Sequence, residues 1–349
     1  MATIKDVARR AGVAISTASA VINGSAPVSG DVIARVEEAI RATGYVPNAA
    51  ARSLRSGRSR LIGLVLPNIA NPWCGAVARE VENVCLNAGY TTVVYSTGQD
   101  AQRESQVLTI MRMQRVAGLI IIPTRSDAAH GANLVSQIHV PTVLLDMYVE
   151  GLPYEVIKTD NVEAGRLATD HLLSLGHRQI AMIVGIPGLA TSDDRYAGYA
   201  AAHADHGVEV DRSLVVPGDF DQEASHAAAI GLLTRPDPPT AIVTVSNMAT
   251  IGLLFAIREL GLSVPDQVSV VGIDDLEFAG LLEPRPTAVA TPSLEMAREA
   301  IHNLLDQISG KQSSSGRWIV HQPYLLIRAS TAPPTDRRFG VTDSPRINL

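Results

Sequence analysis

At 349 residues the chain is too long for one ordinary core and suits a small module joined to a large α/β body, with 46% hydrophobic but only 4% aromatic residues pointing to buried Val, Ile, Leu and Ala strands under helices. The net charge of −6 hides an asymmetry: nine Lys and Arg against four acids leave residues 1–60 at +5 and the rest at −11, the balance expected of a phosphate-binding end on an acidic body. Two cysteines, Cys74 and Cys85, exclude a disulfide framework, and no apolar run approaches the roughly 18 residues of a membrane span. The opening MATIKDVARR carries charge where a signal peptide is apolar, so the expected location is cytoplasmic, with no membrane partner.

Thr3-Ile-Lys-Asp6 resembles a capping box, with the Thr3 hydroxyl available to a free amide, and opens a helix running from Ile4 to about Ala11. Gly12 gives a tight turn, and a second short helix over 16–22 stops at Asn23-Gly24. Ser29 caps a third, over 31–43, where Val32, Ile33, Val36 and Ile40 recur at helical spacing. Beyond Pro47, Asn48-Ala-Ala-Ala-Arg-Ser-Leu54 spans barely two turns before Ser56-Gly57. A helix so short is marginal alone in water and is expected to be conditional.

From Leu61 apolar runs alternate with amphipathic segments, the pattern of parallel sheets with crossover helices. The helical segments lie near 75–89, 103–115, 162–175, 193–207, 222–234, 247–260 and 293–309, and about ten strands suggest two sheets, divided near Asp160. The resulting fold class is an all-α three-helix headpiece plus a body of two doubly wound parallel-sheet lobes. The expected divisions are a headpiece at 1–46, a hinge at 47–60 and a body at 61–331. Within the body, a first lobe takes 61–159 and 288–316, a second takes 160–287 and 317–331, and a flexible tail fills 332–349. Trp318–Arg328 reads as a single strand run, and Gly310–Gly316 as a low-complexity surface loop.

The headpiece resembles the lac repressor (LacI/GalR) family through Ile4-Lys-Asp-Val-Ala8, Ala11-Gly-Val13, Thr17-Ala-Ser19, Val21-Ile-Asn-Gly24 and Gly44-Tyr-Val-Pro-Asn48. In the body the likeness continues through Pro67-Asn-Ile-Ala-Asn-Pro-Trp73, His171-Leu-Leu-Ser-Leu-Gly-His177, Arg195-Tyr-Ala-Gly-Tyr199, Val268-Ser-Val-Val-Gly-Ile-Asp-Asp275 and Arg328-Ala-Ser-Thr331. Each word is weak alone; their order and spacing over roughly residues 2–331 are specific. The resemblance implies a helix-turn-helix DNA-binding headpiece, a hinge helix and a periplasmic-binding-protein-like effector domain. It also implies a homodimer that regulates transcription, most simply as a repressor, from a near-palindromic operator.

The expected DNA contacts are Thr3, Ile15, Ser16, Thr17, Ser19, Ala20 and Asn23 in the headpiece, and Asn48, Ala51, Arg52, Leu54 and Arg55 in the hinge. The competing reading is a trihelical bundle used for protein contacts. Ala14 stands where the family usually has a Ser cap, and Ala20 where an Arg that donates to guanine is common, so the usual operator code does not transfer. Leu54 matches the leucine that the family wedges into the minor groove, against the alternative of a leucine buried in an ordinary linker helix.

Ligands of doubly wound folds sit at the carboxyl ends of strands, and there the sequence places Trp73, Arg125, Asp146, Arg195, Phe220, Ser246, Asn247 and Asp274. Acceptors, an arginine fork and flat apolar faces suit a polar effector, sugar-like or nucleoside-like. Against this stand a helix-cap role for Asp274, a surface ion pair of Arg195 with Asp193 or Asp194, and plain packing for the aromatic and amide residues. Ser246-Asn247 occupy a place where the family more often shows Asn-Asp, which puts a standard hexose in doubt. His203 and His206 have metal-pair spacing but no third ligand nearby, so a solvated face is the better reading. No Walker loop, dinucleotide fingerprint or nucleophile elbow appears, so neither a cofactor nor catalysis is expected. The rivals are a solute-binding protein and a sugar-handling enzyme sharing the body fold.

Leu54→Ala is expected to remove most specific operator affinity while the headpiece stays folded. Unchanged affinity in a gel-shift titration would reject the hinge assignment.

Overall fold

The computed structural model describes residues 2–24, 27–46, 59–311 and 316–335, in two units, 1–59 and 60–349. The first contains α1 (Ile4–Ala11), α2 (Ile15–Asn23) and α3 (Gly30–Thr43), ended by Gly12, Gly24 and Gly44 in left-handed backbone. Val7, Ala11, Val36 and Ala39 form its buried centre, with Val13, Val21, Ile22, Val32, Ile40 and Tyr45 packed around them. Arg35 ties α3 to the first turn by donating to the carbonyls of Ala11 and Gly12. At the start of α1 the expected capping box forms between Thr3 and Asp6. The Thr3 N–H donates to Asp6 Oδ2 at 2.9 Å and the Thr3 hydroxyl to the same oxygen at 2.7 Å, and these bonds hold the Asp6 carboxyl below its usual range. Ser29 occupies the cap position of α3, but its side chain makes no capping bond.

The second unit holds two six-stranded sheets. The first joins β1 (Leu61–Leu66), β2 (Thr91–Ser96), β3 (Gly118–Ile121), β4 (Thr142–Leu145), β5 (Glu155–Thr159) and β11 (Trp318–His321) in the order β11-β5-β4-β3-β1-β2, all parallel. The second joins β6 (Ile180–Val184), β7 (Val215–Pro217), β8 (Ala241–Thr244), β9 (Ser269–Ile273), β10 (Thr287–Ala290) and β12 (Tyr324–Leu326) in the order β12-β10-β9-β8-β6-β7, with only β12 antiparallel. Helices α4 (Pro72–Asn87), α5 (Ala101–Met113), α6 (Ala128–Gln137), α7 (Asn161–Ser174), α8 (Ala190–Asp205), α9 (Gln222–Leu233), α10 (Asn247–Glu259) and α11 (Ser293–Ser309) complete it. Many begin one residue past a side-chain cap that follows a strand. Asn71, Asp100, Asp127, Asp160, Asp221 and Ser246 each accept from an amide of the first turn, satisfying donors the helix cannot.

The lobe boundaries differ from the expected ones. β10 stays in the second sheet, so 287–290 does not belong to the first lobe, and β11 joins the first sheet, so 318–321 does not belong to the second. The run read as one strand over 318–328 is two, broken at Gln322-Pro323, where proline removes a ladder donor. Three connections therefore link the lobes, at Asp160, Thr291-Pro292 and Gln322-Pro323. Helix α6 has no counterpart among the expected segments. Its Gly131 interrupts the apolar period, yet only a small residue fits, since a Cβ there would lie 2.8 Å from Val149. The start of the expected flexible tail is anchored: Ala332 bonds Ser269 and His177, and Thr335 bonds the Asp266 carbonyl. The hinge residues 47–58, the loop residues 312–315 and the tail beyond 335 lie outside the described residues.

Helices α7 and α8 pack backbone to backbone. A Cβ on Gly165 would sit well inside contact distance of the Arg195 carbonyl oxygen, and one on Gly198 inside that of Val162. Gly165→Ala is expected to destabilise the protein by about 1–3 kcal/mol through overpacking. Gly231→Ala on α9, where a Cβ meets nothing within 4 Å, should be neutral or stabilise by about 0.5–1 kcal/mol. Denaturant midpoints check the contrast, and equal effects of the two substitutions would refute it.

Candidate functional site

In the headpiece, Ile15 at the start of α2 is 46% exposed, and Ser16 and Thr3 are also exposed. Thr17, Ser19 and Ala20 are part-buried, while Ala18 between them is buried in the bundle. An exposed isoleucine beside short hydroxyl side chains at a helix N-terminus is a surface that can meet base edges and methyl groups. Ala14, the cap residue, makes no side-chain bond to the helix. The hinge candidates Asn48, Ala51, Arg52, Leu54 and Arg55 lie outside the described residues.

In the body, six of the eight candidate effector residues line one cavity of about 60 Å³: Trp73, Asp146, Arg195, Phe220, Ser246 and Asp274. Asn247 lines an adjoining cavity instead. Arg125 lines neither; it is exposed, and its charge acts on Asp127.

Arg195 organises the site. It is 3% exposed on α8, and its Nε donates to Asn161 Oδ1 at 2.8 Å, while one terminal nitrogen donates to the Val245 carbonyl and lies 3.5 Å from Asp274 Oδ2. The expected alternative, a surface pair with Asp193 or Asp194, is not what forms. Asp194 pairs with Lys158 Nζ at 3.0 Å, and Asp193 accepts from the Gly188 amide. Nor is Asp274 a helix cap: it accepts from Thr291 Oγ1 at 2.7 Å, and that hydroxyl accepts from Trp73 Nε1 at 3.3 Å. The chain Arg195–Asp274–Thr291–Trp73 thus runs from the second lobe through a connection into the first. Its neighbour Asp275 is taken by Arg328, 2.6 Å from each carboxylate oxygen.

Gln99, Asp146, Phe220 and Asp274 all line the same cavity, and all have φ between 56° and 70°. Left-handed backbone costs a residue with a side chain, and such strain gathers where a site over-determines geometry. At Phe220 the room comes from Gly185, whose absent Cβ leaves space for the ring, and the ring packs on the apolar clusters of both lobes. Burial pushes the Asp146 carboxyl up to about 6, with Arg195 pulling the other way and Asp274 reinforcing the rise. Cys74, also in the wall, is pushed to about 12 by burial and is a protonated, inert surface.

A second contact between lobes was not expected. Lys158 of β5 lies 4.1 Å from the Tyr148 ring centroid and 5.5 Å from that of Trp318, and both Lys158 and the Tyr148 hydroxyl bond Asp194 on α8. Sequence reading also missed Asn68, Asn71, Gln99 and Thr191 in the cavity and Asn161 behind Arg195. The signal for Asn161 was its place beside the Asp160 cap at a strand end. His203 is buried and bonds the Tyr199 carbonyl rather than facing solvent, and His206 bonds Asp170 at 2.7 Å.

A model of the lacI family of bacterial regulatory proteins matches residues 3–48, and one of the periplasmic binding protein-like domain matches 169–331. The HTH-type transcriptional regulator DegA of Bacillus subtilis (strain 168) is 32% identical over 333 residues, covering 95% of this chain and 98% of the relative. This chain belongs to the LacI family. The ribose operon repressor of Escherichia coli (strain K12) is 34% identical over 330 residues, covering 95% of this chain and 100% of that protein. Among solved structures, the lac repressor dimer bound to operator and the anti-inducer ONPF superposes with a TM-score of 0.84 at 26% identity, over 95% of this chain and 99% of that one. This LacI-family member is accordingly a DNA-binding transcriptional regulator with two α/β lobes.

Because the Asp146 pKa is raised above its unfolded value near 3.8, folding takes up a proton between that value and about 6. The resulting cost is absent below pH 4 and complete above pH 6. Asp146→Asn is therefore expected to stabilise the ligand-free protein at pH 8 by about 1–3 kcal/mol, with the gain fading towards pH 4. Melting curves of both proteins across that range check the sign.

Proposed function

We propose that this chain represses transcription as a homodimer on a near-palindromic operator, and that a small, donor-rich, sugar-like or nucleoside-like effector in the interlobe cleft controls its affinity for DNA. The observation that carries the reading is the hydrogen-bonded chain Arg195–Asp274–Thr291–Trp73, because a ligand touching it touches both lobes. The wall offers Asp146 and Asp274 as acceptors, the amides of Asn68 and Gln99, and the flat faces of Trp73 and Phe220. Such a set orients hydroxyls.

In the headpiece, α2 enters the major groove with Ile15, Ser16, Thr17 and Ala20, and Thr3, Ser19 and Asn23 support it. In the hinge, Leu54 wedges the minor groove with Asn48, Ala51, Arg52 and Arg55 around it. For the dimer, α4 exposes Leu86 and the edge strand β2 exposes Val94, while Phe278 and Leu281 stand out from the second lobe. Operator DNA as the target places the protein in the cytoplasm. Parting or closing of the lobes by the effector alters the spacing of the two headpieces, and a coupling of about 1–3 kcal/mol is enough to change occupancy.

Gel shifts of the full chain on fragments of its own genome test the reading. Specific retention of a near-palindromic fragment at moderate salt is expected, and its loss or gain on adding one member of a ligand panel. Replacing Ser16 and Thr17 together with Ala should weaken specific binding by about 1–3 kcal/mol with non-specific binding retained. No specific fragment at low or moderate salt would reject the proposal.

A further inference from the structure

The N-terminal end of α2 is lightly held. Gly12, Ala14, Ile15 and Ser16 are exposed, Ala14 gives the helix no side-chain cap, and its first turn carries no acid. Of its described side chains only Ala18 is buried, with Val21 and Ile22 packed on the bundle further along. The turn that leads into it is fastened instead. The Val13 amide donates to the Ala8 carbonyl at 3.0 Å while the Val13 side chain packs on the bundle centre. From α3, one terminal nitrogen of Arg35 donates both to the Ala11 carbonyl and, at 3.1 Å, to that of Gly12.

The guanidinium sits where a cation is favoured. Ala11 ends α1, and the last carbonyls of a helix are acceptors without partners at the negative end of its dipole. Asp31, one turn earlier on α3, lies 3.8 Å from the other terminal nitrogen. Gly12 has φ of 63°, and a Cβ there would lie 2.8 Å from the donating nitrogen, so the glycine both makes the turn and leaves room for the guanidinium.

This fastening matters because the side chains on the exposed face of α2 are short. A long arginine can re-aim at a base by changing rotamer; Ser16, Thr17 and Ala20 reach only where the helix backbone carries them. Good O–H···O bonds span a range of only about 0.5 Å, so a small shift of the helix loses them. Contacts between mobile cations and phosphates tolerate such a shift.

We propose that Arg35 is a positioning residue for sequence reading: by holding the carbonyls of Ala11 and Gly12 it sets where the N-terminal end of α2 lies, and it does so without touching DNA. This rests on the proposed seating of α2 in the major groove.

The test uses the full chain and two duplexes of equal length, the near-palindromic one that the parent enriches from a pool with a randomised core and one of scrambled sequence. Arg35→Met keeps the apolar stem and removes the donors. It should weaken binding of the enriched duplex tenfold or more, change that of the scrambled duplex less than twofold, and leave the slope of log affinity against log salt unchanged. Arg35→Lys, which restores a cationic donor, should recover at least threefold of the loss. Gly12→Ala should weaken the parent more than it weakens Arg35→Met, because part of its effect is to displace the guanidinium. Amide hydrogen exchange of the full chain verifies that α1 and α3 stay folded in each variant.

Weaker binding of both duplexes by Arg35→Met, with a salt slope shallower by about 0.9, makes Arg35 a direct phosphate contact and overturns the positioning role. Affinity of Arg35→Met for the enriched duplex within twofold of the parent overturns it too, as does exchange rising through all three helices. Each of these leaves the proposed function standing. If Ser16→Ala with Thr17→Ala binds the enriched duplex as the parent does, or the parent enriches no sequence, the seating of α2 and the role of Arg35 fall together.

Discussion

A single buried guanidinium sets the geometry of the second lobe's side of the cleft. Arg195 is buried but for its face on the cavity, and each of its bonds reaches a different element: Asn161 at the start of α7, the Val245 carbonyl past β8, and Asp274 past β9. Burying an ion pair contributes little to stability by itself, but removing one partner of such a pair costs about 3–5 kcal/mol. The arrangement is therefore better understood as a constraint than as a source of stability. It requires three strand ends and one helix to stay in register, and the glycines of α7 and α8 exist to let that helix approach closely enough.

The same constraint explains where the backbone is strained. Four side-chain-bearing residues in left-handed conformation meet around one cavity, each just past a strand. A strand that continued in extended geometry would carry its last side chain away from the facing lobe. A left-handed residue turns the chain sharply, leaving Asp274 facing Arg195 and Asp146 in the wall of the same cavity. The strain, about 1–3 kcal/mol for each such residue, is held by sheets whose central strands are buried on both faces.

Those sheets were the legible part of the sequence. Parallel strands covered on both sides carry uninterrupted apolar runs, so the strand positions and the two-sheet division follow from composition alone. The membership of the last strands does not. β10 and β11 look alike as sequence, and which sheet each joins is decided by where α11 packs, a tertiary fact with no local signature. Helix α6 was hidden because its close packing against Val149 needs a glycine, the residue that lowers helical propensity. At the cleft, residues with a distinctive chemistry at a strand end were readable. Thr291 was not, since its importance lies in bonds to Asp274 and Trp73 made across the fold.

Two kinds of interlobe contact follow from this arrangement, and they divide the work of a switch. The chain through Arg195, Asp274, Thr291 and Trp73 borders the cavities, so a ligand competes with it or joins it. The Lys158–Asp194 pair, covered by Tyr148 and Trp318, joins the lobes and borders neither cavity, so a ligand in either does not compete with it directly. A ligand shifts an equilibrium only by the difference between its affinities for the two states. The second contact contributes equally to bound and free protein within a given lobe arrangement. It therefore sets the resting balance between arrangements, while the first determines how far an effector can move it. Separating the two lets ligand preference change through the cavity walls without resetting the balance on which the response depends.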